Sequence, residues 1–324
     1  MKARNLVHSI ACVLFGMSAA LANAQDWPKG PVRVIVPFDA GSTPDSVARV
    51  VSERLATRLG KPTVVENKSG ASGNIGTDAI AKALPDGQTI GVSIAGPLAI
   101  NPMLFKKMPY DPARDLETIT VAASQPSVLV VPLKHPVRDT KEFEALLKAS
   151  AGKFSYASIG AGSISHLAMA SLAARSGVEA VHVPYRGSGA AVTALLSGDV
   201  DMALLPAAAV MPHVKSGKIK ALAIASAKRS AALPDLPTLA ESGITGIEAD
   251  AWIGFIAPAK TPAPVLQKLH DEIAQVLAEP AVKEKLRTQY MDAVGNTPAE
   301  FRSLLAADAT RWKPVIAKHN ITLD

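Results

Sequence analysis

The sequence is poor in cysteine, in aromatic side chains and in charge, and each shortage removes a class of function. A single cysteine, Cys12, stands in 324 residues, and it lies in an apolar N-terminal segment. Once that segment is removed there is no disulfide, no thiolate ligand and no cysteine nucleophile. Aromatic residues make up 4% of the chain, too few to furnish base- or sugar-stacking platforms. Charged residues amount to 19% against 48% hydrophobic, a composition that packs a core and excludes intrinsic disorder. The net charge of +6 drops to +4 over 300 residues without Lys2 and Arg4. With no long basic run, that excess excludes nucleic acid as a partner and leaves a mild attraction for small anions.

Metal and nucleophile patterns are missing as well. His135, His166, His182, His213, His270 and His319 stand apart, with no pair at metal-ligand spacing, so no metal or cofactor is expected. There is no Gly-x-Ser-x-Gly elbow, only Gly187-Ser188-Gly189. Asp199 and Asp201 read as turn and strand-end residues rather than a catalytic pair.

The N-terminus points to export. Met1 to Asn5 is basic, Leu6 to Leu21 is apolar, and Ala22-Asn23-Ala24 offers the small-x-small pattern of a signal peptidase site, with Gln25 as the mature start. The other reading is a membrane anchor, but the apolar core is short, is interrupted by His8 and Ser18, and lacks a stop-transfer flank. Lipid attachment at Cys12 would leave Val13 to Leu21 on the mature chain. No later stretch reaches spanning length without charge or proline. An exported, periplasmic protein is expected.

What is present is a pair of strand–loop–helix units that echo each other. Val32 to Phe38 reads as a buried strand, followed by the loop Asp39-Ala40-Gly41-Ser42 and a helix capped by Thr43, with Pro44 at its first position. Val47, Val50, Val51, Leu55 and Leu59 keep helical spacing, and Arg49 and Glu53 are placed to pair across one turn. Strands at Thr63–Glu66 and Thr89–Ser93 flank a helix from Asn74 to Leu84. The same grammar recurs in Phe154–Ala157, the loop Ile159-Gly160-Ala161-Gly162-Ser163, a helix from Ser165 to Arg175, a strand at Ala180–Val183 and a helix from Gly189 to Leu196. This alternation implies parallel sheets with right-handed crossovers. Helices over Pro264–Ala278, Ala281–Tyr290 and Ala299–Lys318 close the chain.

Each glycine loop joins a strand's carboxyl end to a helix's amino end, where free N–H groups and the helix dipole favour an anion. Gly41, Gly160 and Gly162 let a ligand approach the backbone, and Ser42 and Ser163 add hydroxyls. Such turns also carry glycine for purely conformational reasons. Two in equivalent places make a stronger case than one. As a nucleotide fingerprint the second loop fails: its third glycine is absent, and Glu179 opens a strand where a ribose partner belongs at the end. His166 is read equally as an anion donor or a local cap. Arg186, after Tyr185, is either a carboxylate fork or a solvated arginine.

These residues carry a resemblance to the Bug-type solute receptors, the periplasmic binding components of tripartite tricarboxylate transporters. It rests on Val36-Pro37-Phe38-Asp39-Ala40-Gly41 through Asp45, Val64-Val65-Glu66-Asn67-Lys68-Ser69-Gly70, Gly73-Asn74-Ile75-Gly76, Pro85-Asp86-Gly87 and Met108-Pro109-Tyr110-Asp111-Pro112. Gly160-Ala161-Gly162-Ser163 with His166-Leu167, Val183-Pro184-Tyr185-Arg186-Gly187 and Leu233-Pro234-Asp235-Leu236-Pro237-Thr238 continue it over essentially the whole mature chain.

The resemblance implies an α/β, two-domain periplasmic binding fold of the type II, Venus-flytrap kind. The domains would be 25–125 with 250–324, and 126–249, with crossings near Ser124–Ser127 and between Ser226 and Trp252. A small organic carboxylate would be held by Phe38, Ala40, Gly41, Ser42 and Asp45 of the first loop and Gly160, Ala161, Gly162, Ser163 and His166 of the second. Ser93 and Ala95 would meet its far side through water, with Tyr185 and Arg186 at the rim. Leu205, with Pro206, stands where relatives often have a polar pair, and Trp252 precedes the re-entry into the first domain. Both are expected at the cleft, where an apolar or short ligand body would be preferred to an amino acid or citrate. A monomeric, non-enzymatic receptor serving a membrane permease is the reading; a secreted enzyme on this scaffold and a sensory receptor without a transporter are the alternatives.

Overall fold

The computed structural model describes residues 27–149, 154–178 and 180–323. The N-terminal segment with Cys12 and the cleavage site expected after Ala24 lies outside the described residues, as does Glu179. Short apolar runs become strands because their β-branched side chains are covered on both faces. In β1, Val32–Val36, four of five residues are buried, and in β3, Thr89–Ser93, all are. The first unit runs β1, α1 (Thr43–Leu59), β2 (Thr63–Asn67), α2 (Asn74–Ala81) and β3. A π-helical turn (Gly96–Ile100) and the short helices α3 (Asn101–Leu104) and α4 (Pro112–Asp115) lead to β4 (Leu116–Gln125).

The second unit begins at once. It comprises β5 (Ser127–Pro132), α5 (Thr140–Ala149), β6 (Ser155–Ser158), α6 (Ile164–Arg175), β7 (Val181–Pro184), α7 (Ser188–Ser197), β8 (Met202–Pro206), α8 (Ala207–Lys215) and β9 (Ile219–Ile224). The chain then returns in β10 (Ala251–Pro258) and ends with α9 (Ala263–Ala278), α10 (Pro280–Arg287), β11 (Asp292–Ala293) and α11 (Pro298–Lys318).

The two sheets have orders β11-β4-β10-β3-β1-β2 and β7-β6-β8-β5-β9. Without the two-residue β11, they share one plan. β1 lies parallel between β2 and β3, as β6 does between β7 and β8. In each sheet one strand inserts antiparallel: β10 between β3 and β4, and β5 between β8 and β9. The sheets are therefore mixed rather than parallel as the strand–helix alternation implies, because each inserted strand is the first to follow a crossing between the units.

The crossings lie side by side. Only Pro126 separates β4 from β5, and Ala251 at the start of β10 pairs with Gln125 at the end of β4. Ser127 Oγ donates to the Ala249 carbonyl at 2.6 Å, and Gln125 Oε1 accepts from the Ala208 amide at 2.9 Å. Helix α11 spans both units, starting from a capping box between Thr297 and Glu300. Its Trp312 and Ile316, with Ile321 beyond it, join one buried apolar cluster with Val121 of β4 and Leu129 and Tyr156 of the second sheet.

Local details differ from the sequence reading in understandable ways. Ser42, not Thr43, caps α1, its oxygen accepting from the Asp45 amide, and Thr43 and Pro44 are the first helical residues. Arg49 pairs back to Asp45 at 2.9 Å, while Glu53 meets Lys285 of α10 at 3.2 Å. A buried carboxylate one turn back outcompetes an exposed one, because it holds its charge in a lower dielectric.

Gly254 of β10 shows how closely α11 is seated. A Cβ there would lie 2.2 Å from the Phe301 ring, which is fully buried. Gly254→Ala should therefore lose on the order of 1–3 kcal/mol of stability, read from the urea unfolding midpoint. An unchanged midpoint would mean that the Phe301 ring is free to move.

Candidate ligand-binding site

The two glycine loops are built on one hydrogen-bonding plan. In the first, the Ser42 amide donates to the Asp39 carbonyl at 3.1 Å, closing a tight turn, and Ser42 caps α1. In the second, the Ser163 amide donates to the Gly160 carbonyl at 3.2 Å and Ser163 caps α6. The cap torsions match: φ −69°, ψ 161° at Ser42 and φ −69°, ψ 160° at Ser163. Gly41 and Gly162 both sit at positive φ, +80° and +75°, a conformation that a side chain would strain.

The correspondence extends to what holds each glycine. The Gly41 amide donates to Asp45 Oδ2 at 2.9 Å, and the Gly162 amide donates to His166 Nδ1 at 3.0 Å. Each anchor lies on the first turn of its own helix, four residues after the glycine it holds. The amides of Ala40 and Thr43 in the first loop, and of Ala161 and Ile164 in the second, have no partner among the described residues. At each loop the positive end of the following helix lies at those free donors, an arrangement suited to a carboxylate.

Asp45 is buried, and burial disfavours its ionised form. Hydrogen bonds from Arg49, Gly41 and Asn67 outweigh that and hold its carboxyl below the ordinary value. Asn67 donates to Asp45 Oδ1 at 2.9 Å and to the Phe38 carbonyl at 3.0 Å, tying β2 to the first loop. Both Asp45 carboxylate oxygens are thus engaged, by the loop, by α1 and by β2.

His166 does the same work without charge. Its Nδ1 accepts from Gly162, which places the proton on Nε2, and its ring stacks on His182 with centroids 3.6 Å apart and planes 6° from parallel. His182 in turn lies against Tyr156 at 5.1 Å and meets Ser158 Oγ through Nε2 at 2.7 Å. The two histidines are isolated in sequence and adjacent in space, an adjacency that no spacing rule within one element could reveal. Burial pushes both down, to about 3 for His166, where the neighbouring His182 and His319 add to the effect, and to about 4 for His182. Both are neutral at physiological pH.

The remaining residues divide. The Tyr185 carbonyl stands 3.8 Å from where a Cβ of Gly160 would be, so the loop after β7 does lie beside the second glycine loop. Arg186 is exposed there. Ser163 is not a free donor as expected: its hydroxyl donates to the Gly160 carbonyl at 2.6 Å while accepting from the His166 amide. Ser93 is buried at the end of β3 with its hydroxyl 3.4 Å from that of Thr77, and Ala95 is buried in the core. Leu205 is fully buried in the core of the second unit. Trp252 packs edge-on against Phe301 and donates to Asp308 Oδ2 at 2.8 Å. Alternation along a strand says which residues share a face, not whether a helix covers that face. Leu205 and Trp252 therefore sit in cores rather than on a surface a ligand reaches. Two residues with no role in the sequence reading flank the second loop. A Cβ at Gly162 would lie 2.1 Å from Leu104 of α3 and 3.2 Å from Leu323, whose amide donates to the Leu104 carbonyl at 3.0 Å.

Two mixed α/β units of one topology, each ending its sheet in an anion-suited loop, define a two-domain solute-binding protein. The model of the "Tripartite tricarboxylate transporter family receptor" matches residues 47–321. BugT of Bordetella pertussis is 36% identical over 299 residues, covering 92% of this chain and 92% of BugT. Among solved structures, an R. palustris protein with adipate is 32% identical, with a TM-score of 0.86 over 92% of this chain and 99% of that one. MatC from Rhodopseudomonas palustris with bound malate is 31% identical, with a TM-score of 0.81 over 90% and 100%. The chain belongs to the tripartite tricarboxylate transporter receptor family, whose members are periplasmic solute-binding receptors and not enzymes.

The buried histidines make stability depend on pH. As pH falls below about 6.5, the unfolded chain takes up protons that folded His166 and His182 refuse until about 3 and 4. Stability should fall through that window by at most about 1.4 kcal/mol per pH unit for each histidine. His166→Gln keeps an acceptor for Gly162 without titrating, so its urea midpoint should fall less steeply between pH 6.5 and 4.5. Identical slopes in variant and parent would contradict neutral burial of His166.

Proposed function

We propose that this receptor binds a small organic carboxylate between its two glycine loops, closes its domains over it, and hands it to the permease of a tripartite tricarboxylate-type transporter. The observation that carries this reading is the shared plan of the loops. Each is locked by its own helix and leaves the same two amides free. One loop offers two donors, which a hydrated carboxylate would barely exchange for water. Two loops offer four donors and two helix dipoles to one anion, but only when the domains approach. The ligand then favours the closed form because only that form makes both sets of contacts.

In this reading the lobes are residues 25–125 with 250–324, and 126–249. The hinge lies where Gln125–Ser127 runs beside Ala249–Ala251. Phe38, Ala40, Gly41, Ser42 and Asp45 form one wall, and Gly160, Ala161, Gly162, Ser163 and His166 the other. Tyr185 and Arg186 stand at the edge of the second wall. The leader is removed after Ala24, leaving a periplasmic monomer. Adipate and malate, the acids named with the two R. palustris structures, belong to the ligand class expected here.

The test is a thermal-shift and calorimetric panel of mono-, di- and tricarboxylates, adipate and malate included. A saturating ligand at 100 times its dissociation constant should add about 2.7 kcal/mol of stability. Gly41→Val is the informative variant, since no atom stands within 4 Å of a Cβ there and the fold has little to lose by contact. A β-branched side chain at positive φ displaces the loop and fills the anion's place. It should bind at least about tenfold more weakly with a similar cooperative melt. Gly162→Val is less clean, because Leu104 would have to move. A Gly41→Val protein that titrates like the parent would place the site elsewhere.

A further inference from the structure

The second glycine loop is held at two points, and His182 touches the side chain at each. The Gly162 amide donates to His166 Nδ1 at 3.0 Å, and the Gly160 amide donates to Ser158 Oγ at 3.2 Å. Ser158 ends β6 and His166 stands on α6, with the loop between them. His182, on β7, lays its ring on that of His166 and brings its Nε2 to 2.7 Å from Ser158 Oγ. Tyr156, its register partner on β6, lies against both imidazoles, with centroids 5.1 Å from His182 and 6.2 Å from His166.

The first loop is supported from the same place in the fold. Asn67 on β2 donates to Asp45, the carboxylate that holds Gly41, and to the Phe38 carbonyl where the chain enters the loop. β2 is the edge strand parallel to β1, as β7 is the edge strand parallel to β6. In each lobe, then, a residue on the edge strand reaches both the anchor on the helix and the chain that leads into the loop. The two share position and not chemistry. Asn67 hydrogen-bonds a charged anchor, whereas His182 offers a neutral one a flat face and a single nitrogen. A stacked ring fixes the plane of the His166 imidazole, and so the direction in which Nδ1 accepts from Gly162, without adding a charge.

We propose that His182 is a positioning residue for the second glycine loop, holding His166 and Ser158 so that the Ala161 and Ile164 amides stay aimed at a carboxylate. It makes no contact with the ligand itself. Its effect on binding rests on the cleft reading above; its hold on the loop does not.

Amide hydrogen exchange of the mature, ligand-free protein, read by NMR at Gly160 and Gly162, tests that hold. His182→Ala should speed exchange at both glycines by about tenfold and leave Gly41 in the other lobe unchanged. His182→Phe keeps a flat ring over His166 and removes the nitrogen at Ser158. It should return Gly162 to the parent rate and leave Gly160 fast. A ring that merely filled space would not separate the two amides. Parent rates at both glycines in His182→Ala, or two amides that move together in His182→Phe, would overturn the proposal. The phenylalanine variant decides alone if the alanine variant does not fold. In calorimetric titrations with adipate and with malate, His182→Ala should bind about tenfold more weakly than the parent, and His182→Phe should fall between them. A loosened loop that binds as tightly as the parent's would also overturn the role given to His182. A parent that takes up neither acid would count against the cleft reading, while the exchange rates still decide whether His182 holds the loop.

Discussion

Both halves of the molecule depend on a local bond: a glycine amide donated to a side chain on the first turn of the next helix. Left alone, that amide would be one more free N–H at a helix start. Bound to Asp45 or His166, it fixes the loop at positive φ and turns the neighbouring amides outward. A loop that is already ordered gives up little conformational entropy on meeting a ligand. The two anchors reach this result by different chemistry. Asp45 brings a negative charge that Arg49 must offset, whereas His166 is kept neutral by burial against His182. Neither anchor therefore presents an uncompensated charge of its own to an incoming carboxylate.

The rest of the fold gives those loops a fixed base and a common axis. In each sheet the antiparallel strand is the first one after a crossing, and the first sheet is completed only when the chain returns in β10. The crossings run side by side and are stitched by the Ser127–Ala249 hydrogen bond and the pairing of Gln125 with Ala251. Two adjacent strands bend together more readily than they slide, which suits hinge closure over shear. Helix α11 leans on both units, and the tail beyond it brings Leu323 against Leu104 beside Gly162.

The glycine loops were legible in the sequence because positive φ and helix capping are local demands. Gly41, Gly162 and the serines after them announce themselves within a few residues. The anchor residues were only half legible: Asp45 and His166 stand at equivalent offsets, but nothing local separates a ligand contact from a cap. The His166–His182 stack and the pinning of Asp45 by Asn67 join different strands and helices, and no periodicity encodes that. The inserted strands were invisible for the same reason. Leu205 and Trp252 show a different limit. Their place near strand ends suggested a cleft, yet β8 and β10 are central strands covered on both faces, so ends and edges behave differently there.

Domain closure by a carboxylate that touches both loops is the claim on which the functional account stands. Small-angle X-ray scattering of the mature protein, alone and with adipate or malate at a concentration that calorimetry shows to be saturating, tests it directly. The account predicts a smaller radius of gyration in the bound state, and a smaller change for Gly41→Val at the same ligand concentration. A saturated protein whose scattering curve matches the free one would contradict it.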